Sequence, residues 1–369
     1  MENNHYEFTK THTQIAKGIA ITLMMIHHLF RFPERILKVT YISILPLGNT
    51  TLEYLLGDFG NICIAMYLFL SGFGLYMSTQ KKENFTLIDS AKKARAFLTN
   101  YWVAFIVFVP IGLIWFRDST RYNFNLAGFL ANFFTLSSSY NSEWWFVRLY
   151  IELLLLFPII KKILKKGIKA SLIIIFSCYM VAIIMEVIPA MVPGLSNLKK
   201  NLLYLDIRNI LFWQFSFCSG FIIAKENMFS RINSVIASKK LNTKAFSVTV
   251  ILAIIGVRIG ATYLFQFIGK GNATYVDCIL APPFLLICTN LIINNKSKSI
   301  FSTLGVHSTN MWLTHTFFCF YYFQKIVFLP KVSVLIVMWL AFLSLMASTL
   351  INYIIKSWTA FMQKKNLLE

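Results

Sequence analysis

The residues able to do chemistry are few in this chain, and most stand inside apolar runs. Lys17 and His28 bracket the first run, KGIAITLMMIHH, with His27 next to His28. A helix rising 1.5 Å per residue puts His28 about 16 Å beyond Lys17. The lysine thus falls near one end of the run and His28 past its middle. Neighbouring helical residues point about 100° apart, so His27 and His28 cannot both face one site squarely. Histidine is the side chain best suited to take up and release a proton near neutral pH, which makes His28 a candidate general base. His315 stands in a later run, LGVHSTNMWLTHTFF, at comparable depth, among Ser308, Asn310, Trp312 and Thr314, with His307 nearer its start. A metal held by His28 and His315 would need a third ligand; no HExxH or similar spacing supplies one, and no metal is expected.

Three further groups draw attention. Glu143 opens the segment SEWWFVRLYIE, followed by Trp144 and Trp145. Arg148 and Glu152 stand i, i+4 and can pair on one helix face. Lys92, Lys93 and Arg95 cluster ahead of another apolar run. Such clusters fix topology or bind lipid headgroups, and together with Lys17 they also suit phosphate groups, for which arginine is the more directional donor.

The elements that must position these residues are membrane helices. Of 369 residues, 57% are apolar and 14% charged, against about 25% charged in an ordinary soluble domain, and the mean hydropathy is +0.63. On a scale of about 20 apolar residues per crossing, ten spans are expected, at roughly 14–32, 56–78, 96–116, 144–160, 170–190, 206–224, 245–265, 275–294, 306–328 and 333–355. The expected fold is therefore an all-α polytopic bundle of about ten spans, one integral membrane domain over 1–369. No signal peptide, internal repeat or low-complexity tract is read. The six cysteines lie in apolar stretches without C-x-x-C spacing and are expected to be small buried hydrophobes.

The net charge of +20 raises nucleic acid as a partner, and its distribution argues against one. With a cytoplasmic N-terminus, 22 of the 35 basic residues fall on the inner side, KKILKKGIK at 161–169 being the clearest anchor. An even number of spans then returns the C-terminus to the cytoplasm. Trp144 and Trp145 are expected in an aromatic belt at the outer interface.

In this order the landmarks resemble the acyltransferase 3 family of integral membrane acyltransferases. Lys17-x10-His28 resembles its Arg/Lys-x10-His signature and Phe69-Leu70-Ser71-Gly72-Phe73 its second-helix stretch. Lys92-x-x-Arg95 ahead of Tyr101-Trp102 resembles the segment before its third helix, and Trp145-Phe146 and Ser308…Trp312-Leu313-x-His315 its later landmarks. Gln14 stands where the family often has an acid, and Lys92 where it has arginine. With no segment of domain size after the tenth span, a stand-alone form is expected.

The resemblance implies transfer of an acyl group, usually acetyl from cytoplasmic acetyl-CoA as co-substrate, to a carbohydrate hydroxyl outside a bacterial cell membrane. His28 would be the base or acyl carrier, His315 would shape the site and Glu143 would contact a sugar hydroxyl. Lys17, Lys92, Lys93 and Arg95 would hold the CoA phosphates, with Ser71, Trp144, Trp145 and Arg148 toward the substrate. No permanently bound cofactor is implied; the partners are the donor, the glycan acceptor and membrane lipids. A proton-coupled transporter or flippase of a glycan is the alternative, and a glycan polymerase lacks the large external loop it would need.

Overall fold

In lipid each backbone N–H and C=O must find its partner within the same segment, so long apolar runs form helices. The computed structural model describes residues 7–37, 39–117, 119–269 and 272–366. In chain order its helices are α1 (Lys10–Phe30), α2 (Leu52–Gly60), α3 (Cys63–Thr79), α4 (Leu87–Trp115), α5 (Leu126–Phe133), α6 (Trp145–Leu164), α7 (Ile168–Met191), α8 (Leu202–Lys225), α9 (Met228–Ser238), α10 (Lys244–Ile268), α11 (Asp277–Ile293), α12 (Lys298–Thr316), α13 (Gln324–Val327) and α14 (Ser333–Asn366). A two-residue hairpin, β1 (Pro46–Leu47) with β2 (Thr50–Thr51), turns at Gly48 in the left-handed region.

The fold is all-α, and among the described residues seven helical stretches are long and apolar enough to cross a membrane: Leu52–Thr79, Leu87–Trp115, Ile168–Met191, Leu202–Lys225, Lys244–Ile268, Ala273–Ile293 and Ser333–Lys364. The other three expected spans correspond to α1, α6 and α12, of 21, 20 and 19 residues. These three carry the histidines, Arg148 and Glu152, which lower their apolarity. The ninth expected span, 306–328, is displaced: α12 starts at Lys298, and after Thr316 the chain makes a π-helical turn at Phe317–Tyr321 and leaves the helix.

Chain contacts fall into two compact units, each assembled from three stretches of sequence: Met1–Ala20, Asn61–Ser90 and Leu155–Gly305; and Ile21–Gly60, Ala91–Leu154 and Val306–Glu369. In the first unit α3 and α8 carry the same five-residue pattern, Phe69-Leu-Ser-Gly72-Phe73 and Phe217-Cys-Ser-Gly220-Phe221, a short repeat unnoticed in the sequence. It has a packing cause. A Cβ at Gly72 would run into the Phe217 carbonyl, and one at Gly220 into the Phe69 carbonyl, so the backbones touch reciprocally. Gly18 on α1 and Gly305 on α12 cross in the same way, against the carbonyls of Phe301 and Gln14.

Three charged side chains of this unit, Arg258, Asp277 and Lys161, are buried. Arg258 on α10 donates from Nε to Asp277 Oδ1 at 2.5 Å, with side chains 2% and 0% exposed. Lys161, expected as a topology anchor at the membrane surface, is instead buried, and its Nζ donates to the carbonyls of Thr79 and Lys82 at 2.8 and 2.7 Å. It fastens the turn that follows α3, in which Lys82 N donates to Thr79 O at 3.0 Å. Five of the six cysteines are buried and Cys178 is half-buried, all as free thiols.

In the second unit buried hydrogen bonds fasten the loops. Glu53 accepts from Ser43 Oγ, Ile44 N and Ser333 Oγ at 2.5–2.6 Å, tying the segment after α1 to the start of α14. Asn132, fully buried, donates to Gly128 O and Ser139 Oγ and accepts from Tyr140 N, shaping the chain that leads to Glu143.

Candidate active site

Four elements of the second unit converge on His28. Near the end of α1, His27 and His28 part as helical geometry requires. His27 Nδ1 donates to the Gly57 carbonyl at 2.7 Å. The approach is close because a Cβ at Gly60 would meet the Leu23 carbonyl and His27. His27 thus pins α1 to α2, while His28, 6% exposed, turns toward α12.

His28 Nδ1 lies 2.8 Å from His315 Nε2. His315 Nδ1 faces the carbonyls of Trp312 and Met311 at 2.9 and 3.2 Å. Carbonyls only accept, so His315 carries its proton on Nδ1, and its Nε2 is an acceptor. His28 must then donate from Nδ1, which leaves its Nε2 as the nitrogen that takes a proton. Glu143 Oε2 is 3.4 Å from that nitrogen, where it would pair with the imidazolium once formed. The other carboxylate oxygen accepts from Arg35 Nη1 at 2.9 Å. Arg35 is sandwiched between the rings of Phe32 and Phe320, 4.8 and 4.9 Å from their centroids.

Short local motifs hold Glu143 there. Asn141 caps the 3₁₀ turn Ser142–Trp144, its Oδ1 accepting from Glu143 N, while its Nδ2 donates to Thr316 Oγ1 at 2.8 Å. Ser142 Oγ and Tyr321 Oη are 2.7 Å apart. The π-helical turn after α12 delivers Phe320 to the edge of the His28 ring and Tyr321 to Ser142. Such turns recur at functional sites because they re-aim side chains within a helix.

Of the expected site residues, His28, His315 and Glu143 are brought together. His315, wholly buried, stands behind His28. Trp144 is corrected from interface to interior: it is 2% exposed, donates from Nε1 to Leu313 O at 3.0 Å and packs on Tyr101 and Phe317. Its indole N–H has found a partner, which permits the burial. Trp145 is half-buried against Phe146. Arg148 and Glu152 pair at 3.0 Å as their spacing predicts. On α4, Lys92 and Arg95 are exposed, whereas Lys93 is half-buried, one helical turn before Phe97, whose ring stacks on Trp312. Lys17 and Ser71 lie in the other unit, both half-buried; the Lys17 carbonyl accepts from Tyr67 Oη. Sequence reasoning missed Arg35, Phe320, Tyr321 and Asn141. Only Asn141, an N-cap type ahead of Ser-Glu-Trp, left a local signal. Among the described residues no group of three or more His, Cys, Asp and Glu is arranged to hold a metal ion.

Fold and site thus define a helical membrane protein in which an imidazole pair meets a carboxylate. Residues 14–357, nearly the whole chain, match the family model described as an acyltransferase domain, and the chain belongs to this acyltransferase 3 family. No curated protein and no solved structure matches it.

Proposed function

We propose that the protein is a membrane O-acyltransferase that moves an acyl group, acetyl from acetyl-CoA, onto a hydroxyl of a cell-surface or lipid-linked carbohydrate. The observation that carries this reading is the tautomer chain, in which His315 commits the Nδ1 proton of His28 and leaves Nε2 opposite Glu143. A sugar hydroxyl is a poor nucleophile near neutral pH, and a positioned base is worth about 10²–10⁴-fold. His28 Nε2 takes the hydroxyl proton as the oxygen attacks the thioester carbonyl. The C–O bond forms, the C–S bond breaks, and the imidazolium returns the proton to the departing sulfur. Glu143 stabilises the imidazolium between those steps, and Arg35 holds Glu143 in place.

Lys17, Lys92, Lys93 and Arg95 are our candidates for the CoA phosphates, with Lys93 favoured on α4 because it shares the face of Phe97. Ten crossings, cytoplasmic termini and a bacterial plasma membrane complete the reading. Arg148 with Glu152, Trp145 and Ser71 remain candidates on the substrate side.

The test is mass spectrometry of surface glycans from the wild type, a deletion strain and His28→Ala. Loss of one acyl mass in both altered strains, with His28→Ala protein still inserted and accumulating, is the expected result. Acylation by His28→Ala at the wild-type rate overturns the mechanism. Glycan flux across proteoliposomes without CoA-dependent chemistry would make the protein a transporter instead.

A further inference from the structure

The charge around the His28 end of the second unit runs against the bias expected there. Three loops meet at that end: residues 31–51 after α1, 116–144 before α6, and 322–332 ahead of α14. Arg35 binds Glu143, Gln324 Nε2 donates to Arg35 O at 2.8 Å, and Tyr321 meets Ser142. In sequence these loops hold seven lysines and arginines against three acidic residues, Lys38 and Asp118 lying outside the described residues; Arg31 is paired with Asp58 of α2 at 2.7 Å, and Glu53 of α2 also binds the first loop, which still leaves basic residues in excess. On the proposed orientation this is the non-cytoplasmic end, from which positive charge is normally depleted. The excess therefore calls for a reason other than topology.

Two of these cations are built into the site. The π-helical turn presents consecutive rings, Phe320 and Tyr321, and each carries a guanidinium: Arg35 over Phe320 at 4.9 Å and Arg121 over Tyr321 at 4.8 Å. Arg35 is committed to Glu143. Arg121, half-exposed, donates to the Ser139 carbonyl, an uncharged partner. Arg117, Lys325 and Lys331 stand exposed on the same loops. Phe320 borders the His28 ring and Tyr321 follows it in the same turn, so the guanidinium held on Tyr321 stands on the loops that surround the proposed base, a placement that suits an acceptor carrying negative charge.

We infer that the acceptor is an anionic glycan, one bearing carboxylate or phosphodiester groups, and that Arg121 on Tyr321, joined to the Glu143 turn through Ser142, binds that charge. The inference rests on the acyltransferase reading and narrows its acceptor. A field of one sign at the mouth raises local acceptor concentration and the association rate, and salt screens it.

The experiment uses the full-length protein in nanodiscs of neutral lipid, with acetyl-CoA and three oligosaccharides of equal length: neutral, carboxylate-bearing and phosphodiester-linked. Coenzyme A release and product mass are followed. We expect kcat/KM for at least one anionic acceptor to exceed that for the neutral one about tenfold at low salt, the gap closing as ionic strength rises. The carboxylate and phosphodiester arms identify which anion is read. Arg121→Gln should raise KM for the preferred acceptor about fivefold, and Arg121→Lys should recover part of it, because charge is kept and the planar stack is lost. Should Arg121→Gln fail to fold, the wild-type salt dependence on charged and neutral acceptors decides alone. Equal use of all three acceptors without salt dependence overturns the inference and leaves the acyltransferase reading standing. Acylation of none of the three overturns that reading and the inference with it.

Discussion

His28 is useful because its neighbours agree on which of its nitrogens is left to react. His315 enforces that choice from a buried position, its own proton spent on the Trp312 and Met311 carbonyls. On the proposed mechanism it is therefore a positioning residue. His315→Ala should lower kcat about 10–100-fold with little change in acceptor KM, since the imidazole is freed to adopt the wrong tautomer and not removed; this follows from the general-base contribution of about 10²–10⁴-fold. A steady-state comparison with His28→Ala, whose loss should be the larger, checks the ranking. Glu143→Gln keeps shape and removes charge, so kcat should fall about 10²-fold while accumulation is retained. An unaffected kcat would mean that the imidazolium needs no counter-charge. His28, His315 and Glu143 were legible in the sequence because ionisable residues in apolar runs stand out. Arg35 was not, because an arginine in a loop is ordinary until a carboxylate 108 positions away is seen to bind it.

At the scale of elements, glycines set the helix crossings. The reciprocal contacts of Gly72 with Phe217 and of Gly220 with Phe69 leave no room for a Cβ, because the obstacles are backbone carbonyls that cannot swing away. Gly72→Leu should cost more than the roughly 1–3 kcal/mol of ordinary overpacking, read as reduced accumulation and a lower Tm in detergent. Gly74→Leu, where a Cβ meets nothing within 4 Å, is the control and should behave as wild type. The Arg258–Asp277 pair makes a second element-scale prediction. Arg258→Ala strands a buried carboxylate and should destabilise by about 3–5 kcal/mol, whereas Arg258→Met with Asp277→Leu should recover most of that loss. Thermal unfolding of both variants checks it. The phenylalanine–serine–glycine pattern was visible in the letters of α3, but its meaning was not: the matching pattern on α8 lies about 150 residues on, and only packing pairs them.

For the whole molecule, the proposed ten-span topology puts the C-terminal end and the 161–169 turn on one side and the 31–51 and 322–332 loops on the other. The native cysteines are buried or half-buried, so they provide a quiet background for single-cysteine labelling. Cysteines at 166 or 364 should react with an impermeant maleimide only after cells are permeabilised, and cysteines at 325 or 331 in intact cells. Labelling of both sets in intact cells would sink that topology. The two units are interleaved in sequence, each built from three stretches, and for that reason no composition shift or linker marks a boundary.

The sequence by itself determined the membrane helices, because long apolar runs leave the backbone no alternative to its own hydrogen bonds. It also determined which polar residues were out of place there, and through the family landmarks it pointed to acyl transfer. What only the tertiary structure decided was partnership. Whether His27 or His28 faces the site, which imidazole nitrogen is left to react, that Trp144 and Lys161 are interior, and that Arg35 and Glu143 meet all depend on contacts between distant segments. Such contacts are fixed by packing distances of a few ångströms, and spacing along one chain carries no record of them.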